Sequence, residues 1–449
     1  VIPVDQVLTE LRKLREHDLP THGGRTMAYV YDSGLDELDD LAARAHALAS
    51  STNGLDPTAF PSLLRMENEI VGTAARLLNG GVGQVTSGGT ESCMLAVLAA
   101  RGDAERPSIV LPVTAHAAFH KAAHYFGIRT IPVPVGADFR VDPADVRAAI
   151  DDDTVLVVAS APSYAHGVVD PVTDIAAIAG DRGIRCHVDA CIGGWVLPYF
   201  GRLGVEFEPF DFTVPGVTSI SVDLHKYAYC PKGTSVLLHA SSELRRTQYF
   251  ASAAWPGYTM LNSTMQSTRS GGPIAAAWAV LRHVGDEGYL ELARRTLCAV
   301  RALRIGIDDL GLRVLGDPVS TLLAVTSPDV DPFALADKMR ARGWYVQPQF
   351  AFQNSPTNLH LTVTAANHGN ENLFLDALRE SLADTAPVAV DTSILDGLDP
   401  ETLTAEQFDA LMGAVDMSAG MAAVNTLLEA APAKLRERLL IEFLGRLYS

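Results

Sequence analysis

Ser219-Ile220-Ser221-Val222-Asp223-Leu224-His225-Lys226-Tyr227-Ala228-Tyr229-Cys230-Pro231-Lys232-Gly233 is the stretch on which the reading of this chain turns. A β-rich run over 214–222 alternates apolar with small polar residues and ends in a His-Lys pair. Aromatics, Pro231 and Gly233 then turn the chain into a second apolar run, Ser235-Val236-Leu237-Leu238. A lysine between the end of one strand and the start of the next, with a histidine before it, suits holding an aldehyde as an imine. An isolated lysine at such a turn is more simply a surface residue, so the rest of the chain has to decide.

Upstream of that stretch, strands and helices alternate. Strands are predicted over 108–113, 130–133, 154–160 and 184–188, with helices over 117–126, 143–150 and 174–181 between them. Near-continuous apolar strands in a βαβα rhythm predict a mostly parallel sheet covered by helices. Ligand sites in such sheets lie beyond the carboxyl ends of the strands. The residues at those ends are His116, Ser160-Ala161-Pro162-Ser163, Asp189, and the group Asp223, His225 and Lys226.

Before the first of these strands stands Val85-Thr86-Ser87-Gly88-Gly89-Thr90-Glu91-Ser92, followed by a helical run over 93–101. Glycines with Thr and Ser at the start of a helix expose backbone N–H groups at the positive end of a dipole, which makes an anion site. An ordinary Gly-Gly loop with Thr90 as a helix cap reads equally well in isolation.

Beyond Lys226 a long helix is predicted over 274–310. Strands follow over 312–315, 321–326, 344–349 and 358–363, with helices over 332–342 and 370–383. That β-β-α-β-β-α order predicts a small α+β domain. The division expected is an N-terminal arm (1–60), a large α/β domain (61–300), a small α+β domain (301–389) and a helical C-terminal tail (390–449), of which 386–405 is irregular and 405–447 helical.

Composition narrows the function classes. At 449 residues, 48% apolar and 20% charged, the chain is an ordinary globular protein with material for a large core. Its net charge of −18 argues against nucleic acid or an anionic membrane as partner. Cys93, Cys186, Cys191, Cys230 and Cys298 show no CxxC and no metal-like spacing. They read as reduced thiols of a cytoplasmic protein, with Cys186, Cys191 and Cys230 as small core residues and no metal expected. No apolar run reaches the roughly 18 residues that span a bilayer, and no signal-peptide pattern opens the chain.

An anion loop, a histidine, an aspartate and a lysine, in that order on strand ends, form the set that pyridoxal 5'-phosphate asks for. Gly88, Gly89 and Thr90 would hold the phosphate and Asp189 would keep the ring nitrogen protonated. His116 would lie over the ring and Lys226 would bond the aldehyde. Separately, Asp189 could cap the turn at Cys191-Ile192-Gly193-Gly194, and His116 could be a polar residue on the helix that follows it.

The chain resembles the sphingosine-1-phosphate lyase family, a branch of the group II decarboxylase-like, fold-type I pyridoxal enzymes. The matching stretches are Asn53-Gly54-Leu55-Asp56-Pro57, Thr86-Ser87-Gly88-Gly89-Thr90-Glu91-Ser92, Ala115-His116-Ala117-Ala118-Phe119, and His187-Val188-Asp189-Ala190-Cys191 with Gly193-Gly194. They continue with His225-Lys226-Tyr227, Pro231-Lys232-Gly233, and Ser267-Thr268-Arg269-Ser270-Gly271-Gly272. This resemblance implies a fold-type I transferase-like fold and a homodimer with shared active sites. The cofactor would be bound by Gly88, Gly89, Thr90, His116, Asp189, His225 and Lys226, with Thr268 given by the other subunit. Tyr31, Lys232 and Arg269 would meet the substrate, and Lys226, His116 and Tyr31 would serve catalysis. The implied reaction is retro-aldol cleavage of a phosphorylated β-hydroxy amine to an aldehyde and phosphoethanolamine. The alternative is amino-acid decarboxylation on the same scaffold. The animal and yeast lyases of that family carry a histidine in the segment written here as Leu55-Asp56-Pro57, where an aspartate near a substrate phosphate would repel it.

Overall fold

The computed structural model describes residues 1–414 and 420–448. Its centre is a seven-stranded sheet of β1 (Val82–Thr86), β2 (Ser108–Pro112), β3 (Arg129–Val133), β4 (Thr154–Ser160), β5 (Arg185–Asp189), β6 (Val217–Asp223) and β7 (Ser235–His239). The strands lie in the order β1-β7-β6-β5-β4-β2-β3. From β2 to β6 all pairings are parallel, and β7 alone runs antiparallel to its neighbours β6 and β1.

Both faces of the sheet are covered, which is why the central strands β2 and β4 are nearly continuous apolar runs. Val157 and Ala159 of β4 pack with Ile175, Ala176 and Phe200 on one face. Leu156 and Val158, pointing the other way, pack with Met94, Val97 and Phe119. The helices responsible are Val172–Asp181 and Gly193–Arg202 on the first face, and Gly89–Arg101 and Ala118–Phe126 on the second.

The reversal at β7 positions the lysine. Asp223, the last residue of β6, is opposite Ser235, the first of β7. Thr86 at the end of β1 is opposite Ser235 from the other side. The connection 224–234 is therefore held at the carboxyl edge of the parallel strands, beside the loop that follows β1.

The helix Gly271–Asp309 leads to the small domain and is broken at Gly285, whose φ of 61° lies in the left-handed region open to glycine. Four antiparallel strands follow, ordered Arg313–Val314, Leu322–Thr326, Asn358–Thr362 and Gln347–Gln349. The N-terminal arm is tied to this sheet: Met27 N donates to Tyr345 O (2.8 Å) and Met27 O accepts from Thr362 N (2.8 Å). Trp344, expected to open a strand, instead closes the preceding helix with its N–H on Met339 O (3.0 Å).

Elements not expected from the sequence are the strand β1, the helices Gly193–Arg202 and Ser242–Arg246, the hairpin Phe250–Ser252 with Met260–Asn262, and the 3-10 turns Ala365–Asn367 and Thr392–Leu395, the last in the stretch read as irregular. The tail forms helices Ala405–Ala414, Ala422–Ala430 and Ala433–Leu447 around Phe408, Leu427 and Leu435. The expected helical tail also runs through 415–419, outside the described residues. Among the described residues no helix is long and apolar enough to cross a membrane.

Candidate active site

At the carboxyl edge of β1, β4, β5 and β6 lies a cavity of about 390 Å³ whose wall includes Gly89, His116, Asp189, His225 and Lys226. Four strand ends and two loops thus bring together residues spread over more than a hundred positions.

Lys226 Nζ stands 2.9 Å from Asp223 Oδ2, and the Asp223 side chain is 2% exposed. Asp223 Oδ1 accepts a short hydrogen bond from Ser235. Burial alone would lower the Lys226 pKa, but the Asp223 charge and hydrogen bond, with Tyr31 and Cys191, together overcome it and raise the value well above the ordinary lysine range. Burial also works against the Asp223 carboxylate, yet Lys226 and then His225 hold its pKa below the usual one. His225 Nε2 lies 3.6 Å from Asp223 Oδ2. The Nδ1 of His225 is buried with no hydrogen-bond partner among the described residues.

The helix Gly89–Arg101 points its N-terminus at this point. A Cβ on Gly89 would fall 2.7 Å from both Asp223 carboxylate oxygens and 2.8 Å from Cys191 Sγ, so only glycine fits. Glu91, in the first turn, accepts the Ser87 N–H (2.6 Å) and the Met265 N–H (2.8 Å), clipping the segment before Arg269 to the loop.

Asp189 ends β5 beside Ser160 of β4 and Ser221 of β6. Its Oδ1 accepts the Cys191 N–H (3.1 Å) and the Ser221 hydroxyl (3.4 Å). The turn-capping role open to Asp189 is therefore real, and the carboxylate also lines the cavity. His116 is exposed, its Nδ1 accepting the Ala118 N–H (3.1 Å), which leaves Nε2 as the protonated nitrogen of a neutral ring. Tyr164 meets it edge-on at 6.4 Å between ring centres.

Tyr31 arrives from the N-terminal arm, anchored by Asp32 accepting the N–H groups of Gly23 (2.7 Å) and Gly34 (2.9 Å). Its ring packs edge-on against Tyr227 at 5.3 Å. Burial pushes the Tyr31 hydroxyl up to about 12, with Lys226 opposing the rise. Lys232 Nζ sits 4.7 Å from the Tyr31 ring centre, a cation–π contact, and donates weakly to His225 O (3.5 Å). Partial burial and then the charge of Lys226 lower the Lys232 pKa. Its side chain is exposed, so water screens much of that effect.

Thr268 and Arg269 do not join this group within one chain. Thr268 is exposed. Arg269 lines a separate cavity of about 750 Å³ together with Asp56 and Tyr258. There it forms a two-pronged pair with Glu67, NH1 to Oε1 at 3.0 Å and NH2 to Oε2 at 2.7 Å. Asp56 turns its carboxylate onto the N–H (2.8 Å) and hydroxyl (2.6 Å) of Thr58. The Thr90 side chain is exposed at the loop.

Comparison with known proteins agrees with this geometry. The pyridoxal-dependent decarboxylase conserved domain matches residues 4–312, and a pyridoxal-dependent enzyme C-terminal putative HTH domain matches 392–446. The chain belongs to the pyridoxal-dependent decarboxylase family. Within it, the chain is 40% identical to the sphingosine-1-phosphate lyase of Dictyostelium discoideum, over 78% of this chain and 67% of that protein. It is 38% identical to sphingosine-1-phosphate lyase 1 of Rattus norvegicus, over 84% and 68%. The solved Burkholderia pseudomallei sphingosine-1-phosphate lyase superposes with a TM-score of 0.81 at 36% identity, covering 86% of this chain and 92% of that one. The Lactobacillus brevis glutamate decarboxylase shares the fold, with a TM-score of 0.75 at 20% identity over 87% and 95%. The protein is a fold-type I pyridoxal-phosphate-dependent lyase.

The residues present fit that cofactor. A helix N-terminus with no room for a side chain and an unpartnered His225 Nδ1 match a phosphate. Asp189 suits a ring nitrogen, and Lys226 is an amine at the cavity wall.

Proposed function

We propose that this enzyme cleaves the C2–C3 bond of a phosphorylated β-hydroxy amine of the sphingosine 1-phosphate type, giving an aldehyde and phosphoethanolamine. Bound pyridoxal phosphate supplies the electron sink that takes up the pair released at the amine-bearing carbon. The N–H groups of Gly89 and Thr90, with His225, would hold its phosphate. Asp189 would keep a proton on the ring nitrogen, and His116 would stand over the ring.

Lys226, the amine at the cavity wall, would be the residue that anchors the cofactor through its aldehyde. Asp223 keeps a proton at Lys226 Nζ, and cofactor capture requires its release. The high pKa of Tyr31 makes its hydroxyl a proton donor first, suited to a hydrogen bond with the substrate 3-hydroxyl. A base removes the 3-hydroxyl proton as the C2–C3 bond breaks, and C3 leaves as the aldehyde. A proton returned to C2 completes phosphoethanolamine.

The observation that carries this reading is Lys232. It makes no ion pair among the described residues, touches Tyr31, and is on the same short loop as Lys226. An unpaired ammonium beside the reacting lysine, on a chain of net charge −18, favours an anionic substrate. A phosphomonoester meets that requirement.

Active sites shared across a homodimer belong to the same proposal. Thr268 is exposed and away from Lys226, and the helix Val4–Leu14 buries none of its residues while its apolar side chains stand open. Both features suit a second copy of the chain. Five free cysteines suit a reducing compartment such as the cytoplasm.

The test is product analysis with sphingosine 1-phosphate, unphosphorylated sphingosine and a panel of amino acids. Aldehyde from the phosphorylated amine alone supports the proposal. Carbon dioxide from an amino acid, with no aldehyde from any β-hydroxy amine, favours the decarboxylase reading.

A further inference from the structure

Two buried thiols in the cofactor cavity have no part in the chemistry above. Cys93 lies on the first turns of the helix Gly89–Arg101, and Cys191 lies two residues beyond β5. The sulfurs of Cys93 and Cys191 and a carboxylate oxygen of Asp189 all come within 4.8 Å of one another, and all three residues are buried. They gather around a fourth donor, the hydroxyl of Ser221. Ser221 Oγ is 3.3 Å from Cys191 Sγ, 3.4 Å from Asp189 Oδ1 and 4.0 Å from Cys93 Sγ.

We infer that the cofactor-free protein binds a thiophilic divalent cation, of which zinc is the type, through Cys93, Cys191 and Asp189. Such an ion would close the site to pyridoxal phosphate. Two thiolates and a carboxylate, with a hydroxyl or water in the fourth place, form a tetrahedral set that favours zinc over magnesium or calcium. Zinc–sulfur bonds of about 2.3 Å place two tetrahedral sulfurs roughly 3.8 Å apart. Closing from within 4.8 Å takes a side-chain movement of about an ångström. The cavity itself is the path for the ion, since all three ligands line it.

A cation on Asp189 would face a protonated ring nitrogen held by the same carboxylate, in the same cavity, so like-charge repulsion and shared space set the two ligands against each other. Thiolate ligation displaces a proton from each thiol into solvent, so binding strengthens as pH rises.

The inference depends on the cofactor's place at Asp189 and not on the identity of the substrate. It is tested by titrating the full-length protein with Co2+ alone, with and without pyridoxal phosphate bound. The expected result is one Co2+ per cofactor-free chain, with thiolate-to-cobalt charge-transfer absorbance and two protons released. That absorbance should be absent from the cofactor-loaded protein and lost in Cys93→Ser and in Cys191→Ser. Cobalt-loaded protein should take up cofactor at least about tenfold more slowly, with recovery on chelation. Folded cofactor-free protein without a charge-transfer band overturns the inference, as does a band equally strong in the loaded protein. A band that survives both substitutions overturns it too. The comparison of loaded with cofactor-free wild type needs no variant, so it stands even where a substitution unfolds the chain.

Discussion

The carboxylate of Asp223 grips Lys226 Nζ at 2.9 Å while its other oxygen takes the Ser235 hydroxyl, joining the end of β6, the start of β7 and the reactive amine in one buried group. The raised pKa of Lys226 means that its ammonium stabilises the fold below the ordinary lysine value, a contribution lost as pH climbs through the raised one. The lowered pKa of Asp223 means that its carboxylate contributes above the ordinary carboxylate value, a contribution lost as pH falls through the lowered one. The pair therefore supports the cofactor-free protein across the neutral range. Asp223→Asn should cost about 3–5 kcal/mol there, read by denaturant unfolding of cofactor-free protein, with the difference narrowing in strong acid. It should also let Lys226 capture the cofactor at lower pH than wild type.

Gly89→Ala tests the phosphate cradle. The added methyl meets the Asp223 oxygens at 2.7 Å and Cys191 Sγ at 2.8 Å, so the helix start must back away from the cavity. A cofactor dissociation constant at least about tenfold higher, or about 1.4 kcal/mol, is expected from an absorbance titration. Unchanged affinity would place the phosphate elsewhere.

Glu67 and Arg269 form a two-pronged pair that also engages Val85, with Glu67 Oε1 accepting the Val85 N–H (2.9 Å) and Arg269 NH1 donating to Val85 O (3.0 Å). Glu67→Gln leaves a guanidinium without its carboxylate and should destabilise by about 3 kcal/mol, seen as a lower midpoint in calorimetry. Arg269→Lys should not preserve stability, because an ammonium cannot make both prongs.

Lys232 gives a pH signature. Its pKa is lowered, so the ammonium loses its charge at a lower pH than an ordinary lysine does. The KM for the phosphorylated substrate should rise between about pH 8 and pH 10, with kcat less affected. Lys232→Arg, charged throughout, should flatten that rise. Loss of kcat alone in Lys232→Ala would argue against a role in binding the substrate phosphate.

Much of the site was legible because its parts are short and contiguous. Lys226 follows His225 at a strand end, and Gly88-Gly89 open a helix. Each marks a local backbone demand that sequence expresses directly. What was not legible depends on contacts made only by folding. Glu91 meets Met265 across 174 positions, and Arg269 meets Glu67 across 202. Cys93 and Cys191 show no metal-like spacing, yet the fold brings them together around Ser221. The helix Gly193–Arg202 was hidden by Gly193-Gly194 and by Pro198 within it, residues that favour turns unless tertiary packing overrides them. Gly194 is there because a Cβ would fall 2.9 Å from a Val222 methyl, so the helix packs close against β6.

Product analysis of sphingosine 1-phosphate turnover by the purified, cofactor-loaded protein addresses the central claim most directly. The account predicts a long-chain aldehyde and phosphoethanolamine in equal amounts, with neither formed by Lys226→Ala. Intact sphingosine 1-phosphate after incubation, alongside carbon dioxide released from an amino acid, would contradict it.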